Sequence, residues 1–253
     1  MSILLCLTGL LIAAINVDGK VPKKITGGSE AGEGEFPYQV GLKVRKNVLC
    51  GGSIIDSRHI LTAAHCVHDL PVDPTKEMIV VTGTNDILSG DGVAYNIQKV
   101  WKHPSYAPSA WRNDIAILTL TEDVEFNERT KPVELPTSAD PGDVVAVASG
   151  WGDSIYPNPK NEIPAKLQKI ELRVVPKGSC TLPRNLQVHS GQLCAVFKRG
   201  SGLCTGDSGG PLVYDGKVIG IASFVYKCGL GYPDVFTRVF EYLDWIKSVT
   251  NKL

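Results

Sequence analysis

Ten short runs rich in β-branched and aromatic residues recur between residues 38 and 240, and Gly, Pro, Asn and Asp punctuate them. They are Tyr38 to Arg45, Ser53 to Ile55, Met78 to Thr82, Ile97 to Lys102, Ile115 to Leu120, Val144 to Ala148, Leu167 to Val175, Pro211 to Tyr214, Lys217 to Ser223 and Val235 to Val239. Such runs point to an all-β barrel or sandwich and exclude a regular alternation of strands and helices. The clearest hairpin joins Leu212-Val213-Tyr214 to Lys217-Val218-Ile219 through Asp215-Gly216, a pair suited to a type I′ turn. Helical spacing occurs only near the C-terminus, from Glu241 to Val249, where Tyr242, Trp245, Ile246 and Val249 share one face. The stretch Asp153 to Pro164, with three Pro and three Asn or Asp, reads as an exposed loop.

A chain of 253 residues, 43% of them hydrophobic, can bury a large core, and an all-β unit of this length is compatible with one domain. The formal charge is zero and no run of five or six like charges occurs, so nucleic acid is not an expected partner. Ile3 to Ile15 are almost wholly apolar and are followed by Asn16, Val17, Asp18 and Gly19, the pattern of a secretory signal over residues 1–18. No Lys or Arg precedes that stretch, and the rival reading is a buried terminal strand or helix. It is too short to span a bilayer comfortably, and no other segment is apolar enough to anchor the chain. Of seven cysteines, Cys6 falls in the signal; Cys50, Cys66, Cys180, Cys194, Cys204 and Cys228 remain, an even number consistent with three disulfides in an oxidising compartment. Spacing cannot choose among their 15 pairings. No C-x2-C pair and no His at ligand spacing supports a zinc site, so no metal is expected.

Ser208 lies in Gly206-Asp207-Ser208-Gly209-Gly210-Pro211. The glycines let the backbone turn tightly and let a substrate approach, so that adjacent N–H groups can face a developing oxyanion. A hydroxyl is a poor nucleophile without a base in reach and a group to orient that base. His65, in Leu61-Thr62-Ala63-Ala64-His65-Cys66, has small neighbours that clear room for its ring. Asp114, in Asn113-Asp114-Ile115-Ala116-Ile117-Leu118, puts a carboxylate at the mouth of an apolar strand, where burial demands a hydrogen-bonding partner. Each residue alone carries a bland reading, which His59, His68, His103 and His189 receive. Together the three stand in the order His, Asp, Ser, that of one known catalytic triad.

Through TAAHC, DIAIL, GDSGGPL, the start ITGG at Ile25 and SGWG at Ser149 to Gly152, the chain resembles the trypsin and chymotrypsin family from Ile25 to near the C-terminus. The resemblance implies two six-stranded antiparallel β-barrels with a C-terminal helix, meeting at a cleft. It implies a secreted serine endopeptidase in which His65, Asp114 and Ser208 form the triad and the N–H groups of Gly206 and Ser208 the oxyanion hole. Ser223 matches the family serine that hydrogen-bonds the triad aspartate. The implied disulfides are Cys50 with Cys66, Cys180 with Cys194 and Cys204 with Cys228, a lean set like that of many invertebrate members. The implied organisation is a signal at 1–18, an activation propeptide at 19–24 and a protease domain at 25–253. A trypsin-like protease would cut after Lys24, freeing an Ile25 amine to pair with Asp207.

The family places the specificity-determining Asp of trypsins six residues before the nucleophile, where this chain has Gly202. The matching walls are Leu203, Ala222 and Val225, with Asp234 entering from the far side. This set resembles that of neutrophil elastase and implies cleavage after small or medium aliphatic residues. The rival is a broad-specificity collagenolytic or chymotrypsin-like enzyme, in which the carboxylate stays reachable; a reading from a different class is an inactive binding homologue. The resemblance implies no cofactor. Its partners are protein or peptide substrates, an activating protease and protein inhibitors, with no membrane partner, and a monomer is expected.

Overall fold

Alternation of inward apolar and outward polar side chains builds the strands. In β9 (Gln168–Val175), Ile170, Leu172 and Val174 are buried while Glu171 and Arg173 face solvent. The computed structural model describes residues 25–68, 70–139, 141–153, 163–176, 179–183 and 186–251. The expected signal and propeptide, Lys24 with them, and most of the Pro-rich loop from Asp153 to Pro164 lie outside these residues.

The first barrel is a closed antiparallel sheet of β2 (Gln39–Val44), β3 (Asn47–Ile54), β4 (His59–Thr62), β7 (Ala116–Leu120), β6 (Val93–Lys102) and β5 (Met78–Thr82), in that spatial order. The second runs β9, β10 (Gln192–Val196), β13 (Asp234–Arg238), β12 (Lys217–Val225), β11 (Pro211–Tyr214) and β8 (Val145–Gly150), with β8 pairing back onto β9; β1 (Ser29–Glu30) adds to its β9 edge. A short helix α1 (Pro74–Glu77), capped by the Asp73 carboxylate accepting from the Thr75 N–H, precedes β5, and α2 (Leu243–Thr250) ends the described chain. The architecture is the two-barrel, mostly-strand fold that the sequence motifs imply.

Several elements differ from the sequence expectation. β4 and β10 were not expected: β10 reads Gln-Leu-Cys-Ala-Val and is buried because β9 and β13 pair with it on both sides, not because of strong strand propensity. β3 begins at Asn47 and runs through Gly51 and Gly52, where a Cβ on Gly52 would press on Ile60 and Val40 at 3.0 Å. The C-terminal helix starts later than expected, after a 3₁₀ turn over Val239–Tyr242. At the β11–β12 turn, Asp215 and Gly216 have φ of 48° and 71°, both positive as a type I′ turn requires.

Each barrel has its own apolar interior. Val40, Leu42, Ile60, Leu61, Ile117 and Leu118 fill the first, whose cluster also takes in Val239, Tyr242 and Ile246 from the C-terminal segment. Ala148, Leu172, Leu193, Leu212 and Phe236 fill the second, together with Ile25, which is 0% exposed. The barrels are joined across their seam by Ser149 donating to Gln39 Oε1 at 2.7 Å and by Gly51 N–H donating to the Ser208 carbonyl at 2.7 Å. Disulfides link Cys50 to Cys66, Cys180 to Cys194 and Cys204 to Cys228.

Candidate active site

His65 sits in the 3₁₀ turn Ala64–Cys66 that follows β4, and the disulfide from Cys66 to Cys50 ties this turn to β3. Asp114 lies two residues before β7, at the neighbouring edge of the same barrel, and is fully buried. Its Oδ1 accepts the His65 backbone N–H at 2.9 Å and its Oδ2 contacts His65 Nδ1 at 2.8 Å. Ser223, from β12 of the other barrel, donates its hydroxyl to the same Oδ2 at 2.6 Å, and Thr237 donates to the Asp114 carbonyl at 2.7 Å. A buried carboxylate that receives several donors can remain an acceptor without isolated charge. It holds the imidazole in the tautomer with Nδ1–H toward Asp114, leaving Nε2 free to take a proton.

Ser208 belongs to the loop before β11. A Cβ on Gly209 would run into Thr62 Oγ1 and the Gly51 carbonyl, so glycine there lets the serine loop abut the first barrel. Among the described residues, hydrogen bonds of this loop use the N–H groups of Cys204, Asp207, Gly209 and Gly210 and leave those of Gly206 and Ser208 without an acceptor. Asp207 points away from solvent; its carboxylate accepts from Gly152 N–H at 2.8 Å and Cys204 N–H at 3.0 Å. Burial pushes its carboxyl up to about 7, against the lowering effect of those two bonds.

His65 and Ser208 line one cleft of about 270 Å³, with Trp111, Leu203, Ala222, Phe224, Val225 and Val235 among its walls. Among the described residues no hydrogen bond joins His65 Nε2 to Ser208 Oγ; Nε2 lies 3.8 Å from Cys66 Sγ, and catalytic hydrogen bonds of this kind tighten when substrate is seated. Leu203, Ala222 and Val225 thus line the cleft, while Gly202 and Asp234 do not. Asp234 is 5% exposed and its Oδ2 accepts the Leu203 N–H at 2.8 Å. Ile25 is buried in the second barrel's cluster, which also holds Leu203, and its φ of 46° is strained for a β-branched residue.

The wall residues Trp111, Thr205, Phe224 and Val235 were missed by the sequence reading. The Trp111 ring stands edge-on to His65 at 5.6 Å and leans on Phe224 at 5.5 Å. Nothing in the local pattern marks Trp111; the Gln192 side chain holds its carbonyl at 2.8 Å from 81 residues away. A larger hollow of about 470 Å³ near Cys180 and Arg238 includes His189, but that imidazole is held by the Arg112 guanidinium at 3.1 Å rather than by a carboxylate. Among the described residues, Cys50, His65 and Cys66 are the group close enough to hold a metal, and their two sulfurs are joined in a disulfide, which leaves no thiolate for one. No described helix is long and apolar enough to cross a membrane.

Two antiparallel barrels, with an imidazole, a buried carboxylate and a serine gathered at one cleft, define the class of serine endopeptidases. The Trypsin family model matches residues 25–246, and the chain belongs to that family. It is similar to Chymotrypsin-2 of Vespa crabro, 39% identical over 226 residues, which cover 88% of this chain and 99% of that protein. It is also similar to Trypsin alpha-4 of Lucilia cuprina, at 32% identity over 99% of this chain and 98% of that protein, and to Serine protease 1 of Rattus norvegicus, at 34% over 98% of each.

Proposed function

We propose that the chain is a secreted serine endopeptidase that cleaves after small or medium aliphatic residues, with His65, Asp114 and Ser208 as its triad. The carrying observation is the His65 Nδ1 to Asp114 Oδ2 contact of 2.8 Å, at a cleft that also holds Ser208. His65 takes the proton from Ser208 as the hydroxyl attacks the peptide carbonyl, then gives it to the departing amine; water resolves the acyl-enzyme by the same route in reverse. Asp114 stabilises the imidazolium, and the free N–H groups of Gly206 and Ser208 receive the oxyanion.

Leu203, Ala222 and Val225 make the pocket beside Ser208 apolar, and a branched Val225 shortens it against large rings. The broad-specificity alternative needs a basic side chain to reach Asp234, and burial of that carboxylate behind Leu203 speaks against it. Activation by a trypsin-like cut after Lys24 frees the Ile25 amine to face Asp207, in a site where Ile25 is already buried. Removal of residues 1–18 as a signal places the enzyme outside the cell, where three disulfides persist. Protein inhibitors and an activating protease are its expected partners, and it works as a monomer.

Profiling the activated enzyme on a peptide library tests this reading. Ala, Val and Leu are expected to dominate before the scissile bond, with no cleavage by Ser208→Ala. A dominant Arg or Phe preference overturns the pocket assignment, and full activity in Ser208→Ala overturns the triad.

A further inference from the structure

Asp234 opens β13, paired with Ala195 of β10 on one side and Val225 of β12 on the other. Its hydrogen-bond donor, Leu203, and its chain neighbour, Val235, both line the cleft, yet the carboxylate does not. It therefore lies one residue's thickness behind the apolar wall. Gly202 makes room for it: a Cβ there would stand 2.9 Å from Oδ2 and 3.3 Å from Oδ1, and Gly202 itself has φ of 146°. Among the described residues its one hydrogen-bond donor is the Leu203 N–H, where a buried carboxylate ordinarily gathers several.

Its register partners Ala195 of β10 and Val225 of β12, and the adjacent Gly202 and Leu203, carry no titratable group. Asp207, of its own sign, also acts on it; in the activated enzyme the Ile25 amine facing Asp207 offsets that charge, and burial remains the main raising cause. Burial first, then Asp207, pushes its carboxyl up to about 7, against the lowering bond from Leu203.

We propose that Asp234 is an ionisation switch behind the specificity pocket: neutral, it favours an uncharged aliphatic side chain in the cleft, and ionised, it favours a primary ammonium of the same length. The inference rests on the pocket reading above. Seating an aliphatic side chain expels water from the cleft and raises the cost of a carboxylate behind the wall, whereas an ammonium in the same place lowers it. By linkage, the substrate that disfavours the ionised form is itself disfavoured once that form prevails. The preference for the aliphatic side chain should therefore weaken as pH rises through neutrality.

The test compares kcat/KM for two peptides identical except for norleucine or lysine before the scissile bond, on the activated enzyme from pH 5.5 to 9. Titrations of the triad and of the Ile25 amine affect both peptides equally and cancel in the ratio. Lysine keeps its charge over this range. The norleucine-to-lysine ratio is expected to fall about tenfold or more as pH rises, as expected for a change of about one pH unit in the Asp234 equilibrium between the two complexes. In Asp234→Asn the ratio is expected to be flat. A flat ratio in the unaltered enzyme, or an equal slope in Asp234→Asn, overturns the proposal. Should Asp234→Asn fail to fold, Leu203→Ala serves: thinning the wall is expected to lower the ratio several-fold more at pH 9 than at pH 5.5, and an equal change at both overturns it. A preference for phenylalanine over norleucine at every pH would instead sink the aliphatic reading, and the slope of the ratio would still report on Asp234.

Discussion

Three donors from two segments converge on the one buried side chain of Asp114: the His65 backbone N–H, the His65 ring and the Ser223 hydroxyl. The last comes from the opposite barrel, so the orientation of the imidazole depends on how the barrels meet. Ser223→Ala leaves Oδ2 with the ring as its remaining partner, and a hydrogen bond to a charged group contributes about 1.5–3 kcal/mol. If about half of that is felt in the transition state, kcat is expected to fall roughly three- to tenfold with KM nearly unchanged. Steady-state kinetics checks this, and an unchanged kcat would show that His65 alone orients the carboxylate.

Helix α2 is short and has no side-chain cap at its start, so it is held by packing rather than by its own propensity. Ile246 is fully buried in the first barrel's cluster, and Tyr242, just before the helix, donates to Asn113 Oδ1 at 3.0 Å. That bond attaches the C-terminal segment to the residue beside Asp114. Ile246→Ala is expected to cost about 2–5 kcal/mol of stability by loss of buried surface and the cavity left behind. Urea denaturation measures it; a cost under about 0.5 kcal/mol would mean that the helix docks without this contact. Strand β12 has a comparable double role, since Ile221 packs in the first barrel's cluster and Ala222 in the second's, while the next residue, Ser223, reaches Asp114.

At the scale of the whole molecule, Asp207 and Asp234 are two buried carboxyls pushed up to about 7, against about 3.9 in an unfolded chain. A raised folded value means that the folded state binds the proton more tightly, so their contribution to stability is full below about pH 4 and is lost as pH rises through about 7. Cleavage after Lys24 would place an ammonium opposite Asp207 and remove its share of that loss. In a Ser208→Ala background, the thermal midpoint of the uncut Lys24→Gln chain is expected to fall below that of the cut chain as pH rises from 4 to 8, by on the order of 5 °C. Calorimetry on the two forms decides it, and a gap that does not widen counts against the pairing. Much of this was legible beforehand. The motifs around His65, Asp114 and Ser208 are contiguous and bound to local backbone geometry, and the alternation of strands such as β9 is a local signal. β10, Trp111 and Phe224 were not legible, because their roles come from neighbours distant in sequence: two flanking strands for β10, a glutamine 81 residues away for Trp111. Residue order alone thus determined the family, the two-barrel class and the identity of the chemical groups, since these follow from short-range pattern. Tertiary structure alone decided that Asp234 is hidden behind Leu203 while Ser223 reaches across to Asp114, because burial and distance exist only once the barrels have closed against each other.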